Sequence, residues 1–439
     1  MNEQLARIGI YAFFIGNVCT IIFLWWSGSS SLFLADTPGA LVSLGRLTGL
    51  MAQACLLLQI ILIARVKFIE RFFGNDKMNT VHRWLGFSLL GFFLAHPFFL
   101  VLGYAYKNEA TLAHQFVEFL TDWHDVANAL LAVIIFIIVG ISSLKIIRSR
   151  VRYETWYLTH FLTYLAIFLA FDHQTKFGTV SDGAPLYYWL TLNFGIGGLF
   201  LLYRWIRPLY RGWYHKFSIS KIVKENDTIT SVHITGNDLA SFTFEAGQYA
   251  TLRFHQKGFF FPHPFSFSKA YDGTELRFSI KNLGDFTSKI PTLAVGTRVT
   301  LGGPLGKFTR ASRKKNKILL IAGGVGITPI RALAEDCSKN GDDVVVLYSA
   351  RTKADLALSA EMRAMPLRLV CFCSDATPED GAGFVNGFLD GNAIEKAVPD
   401  FLERDAFVCG PGPMMEAMIT ALKDRGVHKE NIHFERFAY

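Results

Sequence analysis

Six long apolar stretches, residues 8–26, 47–64, 84–106, 126–144, 156–171 and 186–205, fill the first half of this chain. Each approaches the roughly 20 residues that a helix needs to cross the hydrocarbon core of a bilayer. In that medium a lone crossing segment has to satisfy its own backbone, so it must be helical. Six crossings return the chain to the side on which it began. The segments after the second and fourth stretches carry Arg65, Lys67, Arg71, Lys77 and Arg83, then Lys145, Arg148, Arg150 and Arg152; those after the first, third and fifth are sparsely basic. Lys and Arg collect in cytoplasmic loops. The sequence therefore predicts a multi-pass protein of the inner, or plasma, membrane with both termini in the cytoplasm. The first stretch is longer than the apolar core of a signal peptide and no small-residue cleavage site directly follows it, so it reads as an anchor.

Charged residues make up 18% of the 439 positions, and the 14% aromatic content includes 40 Phe. Soluble globular chains carry roughly 25% charge, so disordered, fibrous and purely soluble classes are excluded. The formal charge of +8 would suit nucleic acid only as a basic stripe on a soluble face. Here many basic residues flank apolar stretches, so the lipid bilayer, and no nucleic acid, is the partner they indicate. At roughly 150 residues per domain the length allows three domains: 1–210 as a six-helix transmembrane bundle, 211–312 as an antiparallel β-barrel and 313–439 as a parallel α/β domain. Cys19, Cys55, Cys337, Cys371, Cys373 and Cys409 lack paired spacing, which predicts no disulfide framework. Cys371 and Cys373 point to one face of an apolar strand and read as core.

Histidine is expensive inside a bilayer, yet His82 and His96 lie in or at the ends of the third stretch, and His160 and His173 of the fifth. Singly each reads as a packing or interfacial residue. Together they repeat, because the two stretches run in the same direction and put His82 level with His160, and His96 level with His173. Two facing neutral imidazoles are what a bis-histidine b-type haem requires. At 1.5 Å rise per residue the two levels stand about 20 Å apart. Fourteen residues return a helix to nearly the same face, but 13 residues leave His173 about 140° from His160. The sequence therefore predicts that the fifth helix is distorted by a π-bulge, or ends around Asp172. Arg46, at the outer end of the second stretch, needs an anion, and two readings stay open: snorkelling to lipid phosphate, or pairing with an outer-haem propionate and an anion formed there. His114 and His124 read as surface histidines. Asn17, Gln53, Gln59, Asn128 and Asn193 read as helix–helix contacts.

Beyond residue 213 the pattern changes to short alternating runs at 217–222, 229–235, 249–254, 276–281 and 298–301, separated by Gly, Asn and Asp. Within this barrel, His263-Pro264-Phe265-Ser266-Phe267-Ser268 can set a flat ring beside Phe265, with Ser266 at its polar edge. Lys281 and the turn Gly284-Asp285-Phe286-Thr287 can offer charge, amides and a hydroxyl to a pyrophosphate. The plainer reading is a loop that packs its phenylalanines. Next comes a buried strand at 317–322, the turn Gly323-Gly324-Val325-Gly326-Ile327-Thr328-Pro329 and a helix at 330–337, which together make a phosphate cradle. Strands at 344–348, 367–372 and 406–409 alternate with helices at 354–365 and 414–425, giving a parallel sheet whose ligands sit at strand C-terminal ends. Those ends carry Ser349 and Arg351, and Cys409-Gly410-Pro411-Gly412-Pro413-Met414. No acidic residue stands at the second strand end to read a ribose hydroxyl, while Arg351 can hold a 2′-phosphate, so NADPH is favoured and NADH stays possible.

Over nearly its whole length the chain resembles the membrane flavocytochromes that include NADPH oxidases and ferric reductases. His82, His96, His160 and His173 match that family's haem ligands in spacing and span, and Arg46 falls where the oxidase branch has an outer-face arginine. His263-Pro264-Phe265-Ser266 looks like its flavin motif, in which His replaces the Arg of soluble ferredoxin reductases. Lys281 and Gly284 to Thr287 resemble its flavin pyrophosphate turn. Gly323 to Pro329, Ser349 to Arg351 and Cys409 to Met414 resemble its pyridine-nucleotide motifs. In the family an aromatic residue near the C-terminus covers the flavin until nicotinamide displaces it; Phe437 is the candidate and Tyr439 the second. The resemblance implies two haem b, FAD and NADPH, on what looks like a compact bacterial form with no obligatory protein partner evident. It also implies electron transfer from cytoplasmic NADPH to an outer acceptor, oxygen giving superoxide. The alternatives are a ferric-chelate reductase, a quinone-linked reductase using the same relay, and a channel or transporter with a redox-sensing module.

Overall fold

The computed structural model describes residues 3–123, 125–176, 178–375 and 384–436. Phe437 and Tyr439, assigned above to the flavin, and His124 lie outside them. The chain divides into two compact units, Met1–Phe73 with Lys77–Tyr203, and Gly74–Asp76 with Arg204–Tyr439.

The first unit is all helix: α1 Glu3–Ala35, α2 Thr37–Ile63, α3 Lys67–Phe73, α4 Asn75–Lys107, α5 Leu112–Thr121, α6 Val126–Ser143, α7 Lys145–Arg148, α8 Tyr153–Lys176 and α9 Gly183–Leu201. All six apolar stretches are helical. Five helical segments, Arg7–Ala35, Thr37–Ile63, Lys77–Lys107, Val126–Ser143 and Gly183–His215, are long and apolar enough to cross a membrane. The remaining stretch lies in α8, which has 24 residues but carries Thr155, Thr159, His160, Thr163, Asp172 and His173, and so is more polar. Large apolar side chains face outward along the bundle, among them Trp84, Phe98, Phe194 and Phe168, the last 77% exposed. Water would not tolerate such a surface, and lipid would. Polar side chains join helices inside: Tyr188 donates to Asn17 at 2.9 Å, Gln53 to Asn193 at 2.6 Å, Gln174 to Gln53 at 3.2 Å, and the Trp25 indole to the Ser43 carbonyl at 2.8 Å.

After α9 a π turn, Leu202–Ile206, leads into α10, Arg207–His215. Strands β1 Ser218–Lys224, β2 Ile229–Thr235, β3 Tyr249–Phe254, β4 His263–Ser266, β5 Leu276–Lys281 and β6 Val299–Leu305 follow. They form two antiparallel sheets, β1-β2-β5 and β4-β3-β6, tied by bridges between Ser218 and Arg298 and between Phe267 and Phe278. Alternation in β2, β3 and β5 turns Val232, Leu252 and Phe278 into one core with Phe217, Phe254 and Phe267. β4 is a strand where the sequence suggested only a loop, because its residues pair with β3 from Tyr249 to Leu252.

The α/β part comprises β7 Lys317–Gly323, α11 Ile327–Lys339, β8 Asp343–Ala350, α12 Ser359–Arg363, β9 Arg368–Cys373, β10 Val385–Asn386, α13 Gly391–Ala397, β11 Asp405–Cys409, α14 Gly412–Asp424 and β12 Ile432–Phe434. Its sheet is parallel in the order β10-β9-β8-β7-β11-β12. The helix expected over 354–365 shrinks to α12. Thr352 and Asp355 close a capping box on a short 3₁₀ turn, and Leu358 adopts a left-handed φ of 63°, which breaks helical continuity. Cys371 and Cys373 are buried in the core, and all six cysteines are free thiols.

A buried ion network joins the barrel to the α/β part. Arg277 of β5 donates to both oxygens of Glu361 on α12 at 2.7 and 3.0 Å, and to the Ser268 carbonyl at 2.8 Å; Arg331 of α11 pairs with Glu361 at 2.8 Å and with Glu335. Burial pushes the Glu361 carboxyl up, but the hydrogen bond and charge of Arg277, joined by Arg331, outweigh it and hold it below its ordinary value of 4.5. Its contribution to stability is therefore complete above that ordinary value and is lost as pH falls through the lowered one. Arg277→Ala should cost about 2–3 kcal/mol, less than a fully buried pair because Glu361 is partly exposed. Thermal unfolding between pH 3 and 7 checks this, with a flatter pH profile expected in the variant.

Candidate functional site

The four membrane histidines come together in two pairs. The rings of His82 and His160 stand 6.1 Å apart between centroids, with planes at 52°; those of His96 and His173 stand 6.0 Å apart at 68°. Two metal–nitrogen bonds of about 2 Å, with about 1 Å from each ring centre to its nitrogen, set two trans imidazoles about 6 Å apart. The residues present therefore fit a bis-histidine haem at each level. Among the described residues no group of three or more His, Cys, Asp or Glu is arranged as a metal site, so the histidines act in twos.

The distortion expected in the fifth stretch is absent. α8 is regular α-helix through His173 to Lys176, and the π turn lies instead at Leu202–Ile206. Counting residues fixes only Cα directions. The two side-chain wells common in helices, near 180° and −60°, redirect a ring by about 120°, which can offset most of the 13-residue mismatch.

The pairs differ in what surrounds them. His96 Nδ1 lies 2.7 Å from the Gly45 carbonyl of α2, and its ring packs on Gly49. Gln59, further along α2, donates to the His82 carbonyl at 2.9 Å. The same fourteen residues separate Gly45 from Gln59 and His82 from His96, so two antiparallel helices meet at both histidine levels. His160 stacks on Trp156 at 5.1 Å, and its Nδ1 is 3.5 Å from Ser143 Oγ, which accepts from the Trp156 indole at 3.2 Å. Arg148 lies over Trp156 at 4.7 Å. Near His173, Lys176 pairs with Asp125 at 2.5 Å. Arg46 follows Gly45 on α2, is half-buried and makes no ion pair among the described residues.

In the barrel, β4 turns His263 and Phe265 to one side. His263 stacks on Phe286 at 3.8 Å, and Phe265 lies nearly parallel to Phe286, at 19° and 6.4 Å. These rings make a flat aromatic wall of the kind an isoalloxazine or adenine ring stacks on. Ser266 and Pro264 line the other side of the strand. Phe267 and Ser268 need correcting: both side chains are wholly buried, Phe267 stacked on Phe244 at 3.9 Å and Ser268 bonded to Arg277 and Ser279. They build the barrel and cannot touch a flavin. The Thr287 hydroxyl accepts the amides of Leu283 and Gly284 at 2.8 and 3.1 Å, so it shapes the turn, and the amides of Asp285 and Phe286 are the ones left for an anion. Lys281 reaches toward Gly324, on the nucleotide side of the cleft.

β7 and β11 are neighbours, and the chain runs from β7 outward to β10 before crossing to β11. Their C-terminal ends therefore form the switch point where ligands bind in such sheets. Gly323-Gly324-Val325-Gly326 closes β7, with Gly324 at φ 50°, and Gly326 lies against the Cys409 carbonyl, where no Cβ would fit. Thr328 donates to Val325 at 3.0 Å and Pro329 is buried in α11. Ser349 pairs with Gly323 across β8, and Arg351 is exposed just beyond that strand. The nearest acid in sequence, Asp355, is engaged by Thr352. Gly410, Pro411 and Met414 lie beside Gly323, while the Cys409 thiol faces the core. Burial pushes that thiol well up, and the Glu435 carboxylate adds to it, so it is neither thiolate nor nucleophile at neutral pH.

Sequence reasoning missed Gly45, Gly49, Ser143 and Trp156 around the imidazoles, the Arg277–Glu361 clamp, and Glu435. The glycine spacing around Arg46 was the visible signal, and small residues at i and i+4 permit close helix approach.

Comparison with known proteins matches the description "ferric reductase like transmembrane component" over residues 48–171, "FAD-binding domain" over 214–322 and "oxidoreductase NAD-binding domain" over 320–419. The chain thus carries a membrane component followed by FAD-binding and NAD-binding domains. In that order the three domains make the architecture of the NADPH oxidase and ferric-reductase-like proteins. The glycine betaine monooxygenase reductase subunit of Chromohalobacter salexigens is 30% identical over 238 residues, 51% of this chain, and the chain spans 64% of that subunit. A flavohemoprotein of Oceanobacillus iheyensis is 27% identical over 248 residues, covering 52% of this chain and 60% of its own. The solved ferredoxin reductase in carbazole 1,9a-dioxygenase is 24% identical with a TM-score of 0.45, covering 51% of this chain and 68% of that one.

With its thiol in the core, Cys409 should resist alkylation in the native protein at pH 8 together with Cys337 and Cys371, and react after denaturation. Mass spectrometry of the labelled peptides checks this, and native labelling of Cys409 would contradict the placement.

Proposed function

We propose that this protein moves electrons from cytoplasmic NADPH across the membrane to oxygen on the outer face, two oxygen molecules becoming two superoxide ions for each NADPH oxidised to NADP⁺ and a proton. The observation that carries this is the meeting of four imidazoles as two pairs 6.1 and 6.0 Å apart. The working parts are 1–210 as the di-haem domain, 211–312 as the FAD domain and 313–439 as the NADPH domain. The basic segments after the second and fourth helical stretches, and both termini, lie in the cytoplasm.

His82 and His160 would hold one haem b, and His96 and His173 a second toward the outer side. The aromatic wall of His263, Phe265 and Phe286, with Lys281 and the Asp285 and Phe286 amides, would hold FAD; Ser266, buried on the other side of β4, would not face it. When bound, FAD converts a hydride into single electrons and the haems carry them singly. Arg351 would receive the 2′-phosphate of NADPH, with Gly323 to Thr328 and Gly410 to Met414 around the pyrophosphate. His82, His96, His160 and His173 would each give one nitrogen to a haem, and such a group would supply single-electron transfer without needing oxygen as a ligand. Arg46, level with His96, stabilises the anion formed there. The ferric-reductase description of the membrane domain favours a second reading, an external ferric chelate as acceptor.

Protein purified with added FAD should show NADPH-dependent oxygen uptake, a reporter signal sensitive to superoxide dismutase and a b-type haem spectrum. If NADPH reduces the haem but air re-oxidises it slowly, the acceptor is not oxygen, and ferric chelates are then compared. Arg351→Ser should raise KM for NADPH about 10–100-fold while leaving NADH turnover nearly unchanged. Arg46→Ala should lower kcat with little change in haem content; unchanged turnover would reject its catalytic role.

A further inference from the structure

His96 differs from His82 and His160 in how its outer nitrogen is anchored. His82 Nδ1 is buried and has no hydrogen-bond partner among the described residues, and His160 Nδ1 has only the distant Ser143 hydroxyl at 3.5 Å. His96 Nδ1, by contrast, lies 2.7 Å from the Gly45 carbonyl. A carbonyl only accepts, so His96 must carry its proton on Nδ1, which leaves the lone pair on Nε2. One turn further along α2, a Cβ on Gly49 would stand 2.7 Å from Nδ1 and 2.8 Å from Cε1 of the same ring. The two helices are in backbone contact a further point along, where a Cβ on Gly103 of α4 would stand 2.9 Å from the Val42 amide and 3.0 Å from the Pro38 carbonyl of α2.

We propose that the Gly45–Gly49 turn of α2 positions the outer ligand: Gly45 fixes the tautomer of His96 through its carbonyl, and Gly49 supplies the space that keeps the ring facing His173. This rests on the reading of the four histidines as haem ligands. A ligand imidazole whose other N–H is hydrogen-bonded is a stronger donor to its metal. The outer haem therefore has a more basic ligand than the inner one, which favours its ferric form. It takes the lower reduction potential of the two, the better arrangement for handing an electron on to a poor oxidant.

The test uses the full chain loaded with haem and FAD. Haem per protein is measured by pyridine haemochrome and the two midpoint potentials by spectroelectrochemical titration, in wild type and Gly49→Ala. Gly16→Ala and Gly198→Ala serve as controls, since both glycines are exposed with nothing within 4 Å of an added Cβ. Gly49→Ala should weaken outer-haem binding about 10–100-fold, roughly halving haem per protein and removing the lower-potential wave, while the controls keep both waves. Two haems at unchanged potentials in Gly49→Ala would overturn the proposal and leave the haem reading intact. Loss of the higher-potential wave would overturn the assigned order. If Gly49→Ala does not fold, ¹⁵N-histidine spectra of wild type decide, assigned by difference against His96→Gln. A proton on Nδ1, shifted by hydrogen bonding, is expected, and a proton on Nε2 would refute the proposal. A wild-type chain that binds no haem would refute the underlying reading and this proposal together.

Discussion

An imidazole placed among apolar helices has two nitrogens to satisfy and no water to help. Four such groups in one bundle are tolerable only if the structure assigns each nitrogen a purpose, and the arrangement of α2, α4, α6 and α8 follows from that need. The two rings of each pair stand at nearly the same separation, 6.1 and 6.0 Å between centroids. The outer nitrogen of each ring must be accommodated from behind, which is why a glycine turn, an indole and a serine hydroxyl collect there.

The contact between α2 and α4 makes this possible without bulky compensation. Glycines on both helices bring the backbones close enough for a main-chain carbonyl of one to reach a side chain of the other. Antiparallel packing then repeats the contact at the second histidine level. The reductase half solves a different problem, how to keep a barrel and an α/β sheet aligned across a cleft. Arg277 and Arg331 converge on Glu361 just behind the strand that bears His263 and Phe265, so the aromatic wall and the glycine turn share one rigid backing.

Much of this was legible in the sequence. The six apolar stretches, the histidine spacings and five of the six barrel strands appear where alternation and length put them, because burial on one face writes directly into the order of residues. β4 escaped because Pro264 and the aromatic run hide its alternation, and the helix at 354–365 failed because a single left-handed Leu358 leaves no trace in composition. α8 stays regular: residue counting fixes Cα directions, while side-chain rotamers decide where a ring ends up. Phe267 and Ser268 adjoin the flavin-like motif in sequence, but β4 ends at Ser266 and the chain then turns both side chains into the barrel interior. What no sequence pattern could give was the Gly45 carbonyl, since every residue has one.

Ser143 and Trp156 are side chains, so any codon change there retunes the inner pair. The acceptor behind His96 belongs to the main chain and cannot be exchanged by substitution, and its neighbour along the chain is Arg46. Substitution can therefore reshape the surroundings of the His82–His160 pair through side chains, while the backbone contact behind His96 persists whichever residue stands at position 45.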